Sequence, residues 1–219
     1  PKNKKDLEKI FQIKKIYKDI KRFKKKFYIF NKKNLGLSKS FISGISLTLK
    51  KHKKIIVLED DNKVSKFYLN YMNDGLSIYE KEKKVCSISG YSYPIKYSNN
   101  LKTFFLKGAD TWGWGTWKKN WFECNFEDNT LYNNILDDYS VKKQFDWSGK
   151  SFSYFLSLYL DNKIDSWLIR WYVHIFKNKG LCLWAIDSKL ANIGFDGTGA
   201  HKVQFDRFNQ KHITEKTEI

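Results

Sequence analysis

The stretch "KKIIVLEDD", residues 53–61, constrains the fold of this chain more than any other. Two lysines lead into an unbroken apolar run, and Glu59, Asp60 and Asp61 close it. A short β-branched run bounded by charge reads as a buried strand with three carboxylates at its carboxyl end. The pattern before it, "FISGISLTL" (41–49), reads as a helix, with Ser38 or Ser40 available as its N-cap. Residues 65–80 read as another helix, with Phe67, Leu69, Tyr71, Met72, Leu76 and Tyr79 apolar. Helix alternating with strand is the rhythm of an α/β sheet.

The rest of the chain extends that rhythm. Residues 4–23 space Leu7, Ile10, Phe11, Ile13, Ile16, Tyr17, Ile20 and Phe23 mostly three or four apart, an amphipathic helix with lysines opposite. "FYIF" (27–30) reads as a short buried strand. "VCSISGYSY" (85–93) and "TFFL" (103–106) read as strands; "NTLYNNILDDYS" (129–140) and "SFSYFLSLYL" (151–160) read as helices. "DSWLIRWYVHIFKNKG" (165–180) has a cap signal at its start and a C′ glycine, Gly180, at its end. "LCLWAI" (181–186) is a last strand, and "DSKLANIGFDGTGAHK" (187–202) a glycine-rich polar loop. There is no internal repeat. Residues 1–205 are expected to form one domain, with 206–219 a fraying tail.

Composition narrows the function classes. Apolar residues make up 42% of 219, enough for a real core. No apolar run reaches the roughly 18 residues that span a bilayer, and no signal peptide is visible. Three dispersed cysteines and four histidines form neither a disulfide framework nor a zinc pattern, which suits a reducing cytoplasm. The net charge of +18 is concentrated at one end: residues 1–54 hold 19 Lys or Arg against Asp6, Glu8 and Asp19. That end reads either as a solvated lysine face or as a surface for phosphate, anionic lipid or nucleic acid. The tryptophans lie elsewhere, so charge and aromatics are segregated. A nucleic-acid platform, which interleaves them, ranks below the other readings and no nucleic acid is expected as a partner.

Four segments can carry chemistry. Three carboxylates at a strand end repel one another and attract a hard cation such as Mg²⁺ or Mn²⁺. If the strand continued through them, Glu59 and Asp61 would share one face and Asp60 the other. The bland alternative is an acidic turn capping the next helix. "GFDGTG" (194–199) has the wrong order for a dinucleotide fingerprint, and reads as a loop able to fold over a ligand or as plain surface. Asp165 reads as an N-cap or as a general base whose aromatic surroundings raise its pKa. In "DTWGWGTWKKNW" (110–121), Trp114, Trp117 and Trp121 are spaced as one helix face, while Trp112 to Gly115 reads as a loop offering indoles to a sugar.

In order and spacing, the blocks "NLGLSKSFISGI…KKIIVLEDDNKVSKFYLNYMN", "VCSISGYSYP…WGWGTWKKNW" and "IDSWLIRWYVHIFKNKGLCLWAIDSKLANIGFDGTGAH" resemble the GT-A type of nucleotide-sugar glycosyltransferase. They are similar to bacterial family-2-like sugar transferases of surface-polysaccharide clusters. More distantly they are similar to the transferase that adds β-1,2-linked N-acetylglucosamine to mannose. The resemblance covers roughly residues 30–202 and implies a mixed sheet flanked by helices. It also implies that the first, base-binding strand of that fold is absent from this chain.

By this resemblance Asp61 binds Mn²⁺ or Mg²⁺ at the donor diphosphate, and Glu59 and Asp60 contact the nucleotide sugar or orient the site. Asp165 is the general base of an inverting transfer to a glycan or lipid-linked hydroxyl. The loop with Gly194, Gly197, Gly199 and His201 closes over the donor. Trp112, Gly113 and Trp114 lie beside the sugar, and Asp110 is the second-choice base. The chain would act in the cytoplasm, in peripheral contact with the anionic inner face of the plasma membrane. The second reading is a non-catalytic carbohydrate- or partner-binding remnant of such a domain.

Overall fold

The computed structural model describes residues 4–94, 101–149, 151–195, 197, 217 and 219. The chain divides into two compact units, Pro1–Asn34 and Leu35–Ile219.

The first unit is one helix, α1 (Lys4–Asp19), and an irregular return segment. Tyr28 Oη donates to the Tyr17 carbonyl at 2.7 Å, and Lys26 Nζ donates to the Lys18 carbonyl at 2.9 Å. Lys14 Nζ stands 4.6 Å from the Phe30 ring centre. The buried strand expected at 27–30 is not there: Phe27 is 76% and Ile29 60% exposed, and neither lies in a strand. A strand needs a neighbour to take its backbone hydrogen bonds, and this unit has no other extended segment paired with it among the described residues.

The second unit is α/β, a mixed sheet with helices on both faces, consistent with a GT-A-like fold. Helix α2 (Leu37–Lys51) leads into β1 (Lys54–Val57), a turn, β2 (Asn62–Val64) and α3 (Tyr68–Ile78). Then come β3 (Val85–Ser89), β4 (Thr103–Leu106) and β5 (Trp114–Trp117). Helices α4 (Lys118–Glu123), α5 (Asn129–Asp137), α6 (Tyr139–Phe145), α7 (Phe152–Leu160) and α8 (Trp167–Lys177) follow, before β6 (Leu181–Ala185) and β7 (Leu190–Asn192). The main sheet runs β1-β5-β3-β6-β4, with only β3 and β6 parallel; β2 and β7 form a separate antiparallel pair.

Strand β3 is buried along its whole length, its serines Ser87 and Ser89 included, as a central strand covered on both faces requires. On one face of the sheet, Tyr68, Met72 and Leu76 of α3 pack with Ile88, Trp117 and Leu183. On the other, Ile45 and Leu49 of α2, Trp121 of α4 and Trp167, Trp171 and Ile175 of α8 pack with Cys86 and Trp114. Helices α5 to α8 close a third cluster around Tyr132, Phe145 and Leu156.

Three local expectations are revised. Helix α2 is capped by neither serine: Gly36 holds the N-cap position at φ 76°, and buried Ser38 instead donates to the Asp165 carbonyl at 2.7 Å. Helix α8 ends one residue earlier than a C′ Gly180 implies. Lys179 takes the left-handed conformation, φ 50°, while the N–H groups of Lys179 and Gly180 reach the carbonyls of Phe176 and Ile175.

The tryptophan segment is revised most. Trp114 and Trp117 lie on a strand, so their spacing of three puts them on opposite faces of the sheet. Only Trp121 is helical. Trp117 Nε1 donates to the Leu76 carbonyl at 2.9 Å, and Trp121 Nε1 to Ser46 Oγ at 2.9 Å.

Candidate functional site

Strand β1 ends at Val57, and Leu58–Asp61 turns toward β2. The turn is tied by Asn62, whose backbone N–H donates to the Glu59 carbonyl at 3.2 Å and whose Oδ1 accepts the Glu59 N–H at 3.2 Å. Asn62 Nδ2 donates to Asp61 Oδ1 at 3.0 Å. Glu59, Asp60 and Asp61 therefore sit on a turn, and strand alternation does not govern their side chains. Glu59 and Asp61 are half-buried; Asp60 is exposed.

The pairing of β2 with β7 brings the glycine loop to this turn. Asn62 lies opposite Asn192, and the Ile193 N–H donates to the Asp61 carbonyl at 2.8 Å. Gly194 follows, its N–H held by Asn192 Oδ1 at 2.7 Å. A Cβ at Gly194 would overlap Asp61 Oδ2, so the carboxylate uses the space that a side chain would fill. Gly197 is left-handed at φ 79°. Gly199 and His201 lie outside the described residues.

Asp110 is the third element. Its Oδ1 accepts the Trp112 N–H at 2.7 Å. Burial pushes its carboxyl up to about 7, against the opposing pull of the Trp112 and Thr111 N–H groups. Glu59 is also raised to about 7, by burial first and then by the charges of Asp61, Asp60 and Asp110. Asp110 is thus an electrostatic neighbour of Glu59, and burial is the larger cause of both shifts. Asp110 also raises Tyr93, whose hydroxyl burial pushes to about 12.

Next to Asp110, half-buried Trp112 stands edge-on to Tyr91 at 4.8 Å and to Phe195 at 6.0 Å between ring centres. Gly113 is left-handed at φ 57°, and its carbonyl accepts the Gly90 N–H at 2.8 Å. Trp114 does not belong to this surface. It is fully buried, 5.5 Å from the Trp167 ring and 5.7 Å from Trp171, so its expected role beside a sugar is withdrawn.

Asp165 lies just before α8, where Ser166 supplies the cap by accepting the Ile169 N–H. The Asp165 carboxylate is 58% exposed and takes buried Arg170 Nη2 at 3.0 Å. Its surroundings are therefore a guanidinium and solvent rather than the expected apolar pocket. The charges that raise Glu59 are those of Asp61, Asp60 and Asp110. The link of Asp165 to the rest is indirect: Trp167, two residues on, stacks on Trp114, which follows Gly113 in the chain.

The structure thus brings together Glu59, Asp61, Asp110, Trp112 and Gly194, and leaves Asp165 paired elsewhere. Asn62, Asn192, Tyr91, Tyr93 and Phe195 also shape the site. The asparagines follow "EDD" and precede "IG", positions from which an amide can tie a turn. The tyrosines follow Gly90 at the end of β3.

Among the described residues, no three His, Cys, Asp or Glu side chains form a metal-ligand set. A divalent ion shared with a diphosphate needs only one or two carboxylates and keeps several waters. The residues present fit that lesser demand: Asp61 and Glu59 carry oxygen ligands, and the charges of Asp61, Asp60 and Asp110 add to burial in raising Glu59. A scan against protein-family models matches none of them, and a search of the curated proteins finds no match.

Proposed function

We propose that this chain carries a nucleotide-sugar glycosyltransferase domain. It moves a sugar, with inversion, from a nucleoside diphosphate donor to a hydroxyl of a glycan or lipid-linked acceptor. The setting is bacterial surface-polysaccharide synthesis at the cytoplasmic face of the plasma membrane. One observation carries the reading. The carboxylate turn after β1, the Gly194 loop and Asp110 converge beside the half-buried Trp112. A donor diphosphate would bring negative charge to this group of carboxylates, and a divalent cation between them would offset the repulsion. Asp61, with Glu59, would hold Mn²⁺ or Mg²⁺, which when bound neutralises charge on the departing diphosphate.

The chain's own residues account for the remainder. A carboxylate takes the proton of the acceptor hydroxyl as that oxygen bonds to the anomeric carbon and the bond to the diphosphate oxygen breaks. Family resemblance assigns this proton to Asp165. Asp110 is the base favoured here, since burial raises it to about 7, near the working pH at which a base is most effective, and it lies beside Trp112 and Glu59. Trp112 offers a ring face for the C–H surface of a sugar.

Nucleoside diphosphate release from a panel of nucleotide sugars, with and without Mn²⁺, tests the reading. Asp61→Asn is expected to reduce release by about a hundred-fold or more. Of Asp110→Asn and Asp165→Asn, the first is expected to cost more in kcat. A non-catalytic sugar-binding domain is the second reading, favoured by the ion pair of Asp165 with Arg170. Calorimetric titration with UDP separates the two: a remnant takes up UDP no better when Mn²⁺ is present.

A further inference from the structure

We propose that Pro1–Asn34 is a membrane-surface module that inserts its aromatic and aliphatic side chains among the headgroups of an anionic bilayer. This inference concerns a unit outside the candidate site, and it stands whether or not the chain transfers sugar. The unit has no buried residue among those described. Its apolar side chains face outward instead: Phe11 73%, Phe23 65%, Phe27 76% and Ile29 60% exposed. An exposed apolar surface rimmed by charge marks an interaction site.

The charge selects the occupant. Residues 1–34 hold fourteen Lys or Arg against three carboxylates, a net +11, and residues 20–33 hold seven with no carboxylate. A second copy of this unit would bring like charge against like. A soluble polyanion would meet the lysines but leave the phenylalanines in water. An anionic bilayer meets both demands, with phosphates for the lysines and acyl boundary for the rings.

The local geometry supports this occupant. Between Tyr17, Ile20, Phe23, Phe27 and Tyr28 lies a shallow cleft of about 450 Å³. Lys26 caps it by donating to the Ile20 and Lys18 carbonyls at 2.5 and 2.9 Å, which ties the return segment to the end of α1. The Tyr28 hydroxyl, which donates to the Tyr17 carbonyl, ties the same segment to α1. The apolar side chains are therefore presented together on a folded-back segment and not scattered along a free coil.

Vesicle co-sedimentation of the full chain tests the proposal. The vesicles are phosphatidylcholine alone, or phosphatidylcholine with about 30% phosphatidylglycerol. At low salt, binding to the anionic vesicles is expected to exceed binding to the neutral ones by at least about ten-fold, and to weaken steeply by about 0.5 M NaCl. Replacing Lys21, Arg22, Lys24 and Lys25 by Gln is expected to lower it about ten-fold or more. The pair Phe23→Ser and Phe27→Ser is expected to lower it about ten-fold, with far-UV circular dichroism unchanged because both side chains are exposed. Equal binding to both vesicle types overturns the proposal. So does aromatic-variant binding as strong as the parent's, which makes the unit a plain polycation. Tighter binding to a single-stranded oligonucleotide than to vesicles, or lipid-independent dimerisation lost with the same aromatic pair, also overturns it.

Discussion

Glu59 and Asp110 depend most on their surroundings for their chemistry. Both carboxyls are raised to about 7 in the fold, against ordinary values near 4. Folding therefore takes up protons across that interval. The stability this contributes is complete below about pH 4 and is lost as pH rises through about 7. Glu59→Gln removes one ionising group and relieves its neighbours. It is expected to raise stability at pH 8 by about 1 kcal/mol, a figure reduced for partial exposure, and to change it little at pH 5. Denaturant melts at the two pH values check the sign. Gly113→Ala forces a side chain to φ 57° and into Leu190, and is expected to cost about 2–4 kcal/mol by the same melts. Gly194→Ala displaces Asp61 at the surface of the fold. Its effect is expected on Mn²⁺-linked nucleotide affinity, down about ten-fold or more, with a smaller change in melting.

At the scale of elements, the clearest contrast lies inside "WGWG". Trp114 on β5 is a keystone between α2, α4 and α8, and Trp114→Ala is expected to cost about 3–5 kcal/mol. Trp112 is half-buried at the site, and Trp112→Ala is expected to cost about 1–2 kcal/mol while lowering acceptor use far more. Chemical denaturation of both variants beside initial rates at low acceptor concentration checks the split.

The sequence could not separate the two tryptophans. A spacing of three and four fits a helix, and the strand partner that overrides it, β1, lies about sixty residues away. The same non-local pairing explains β7, hidden in a glycine-rich polar segment until Val64 and Asn62 of β2 lie opposite it. It also explains "FYIF", strand-like in composition but with no ladder to join among the described residues. The long periodic helices, the buried β3 and β6, and the carboxylates after β1 were legible, because periodicity and charge placement are local. That Asp110 is an electrostatic neighbour of Glu59 was not legible, because that juxtaposition is tertiary.

At the scale of the whole molecule, a mixed α/β unit carries the candidate site and a separate basic unit carries the exposed aromatic face. No helix among the described residues is long and apolar enough to cross a membrane. The central claim is that the turn after β1 binds a nucleoside diphosphate through a divalent cation. Calorimetric titration of UDP into the chain, with and without Mn²⁺, tests it most directly, with Asp61→Asn as the comparison. The account predicts binding that strengthens at least about ten-fold with Mn²⁺ in the parent and loses that gain in the variant. Metal-independent affinity, or a metal gain that survives Asp61→Asn, would contradict it.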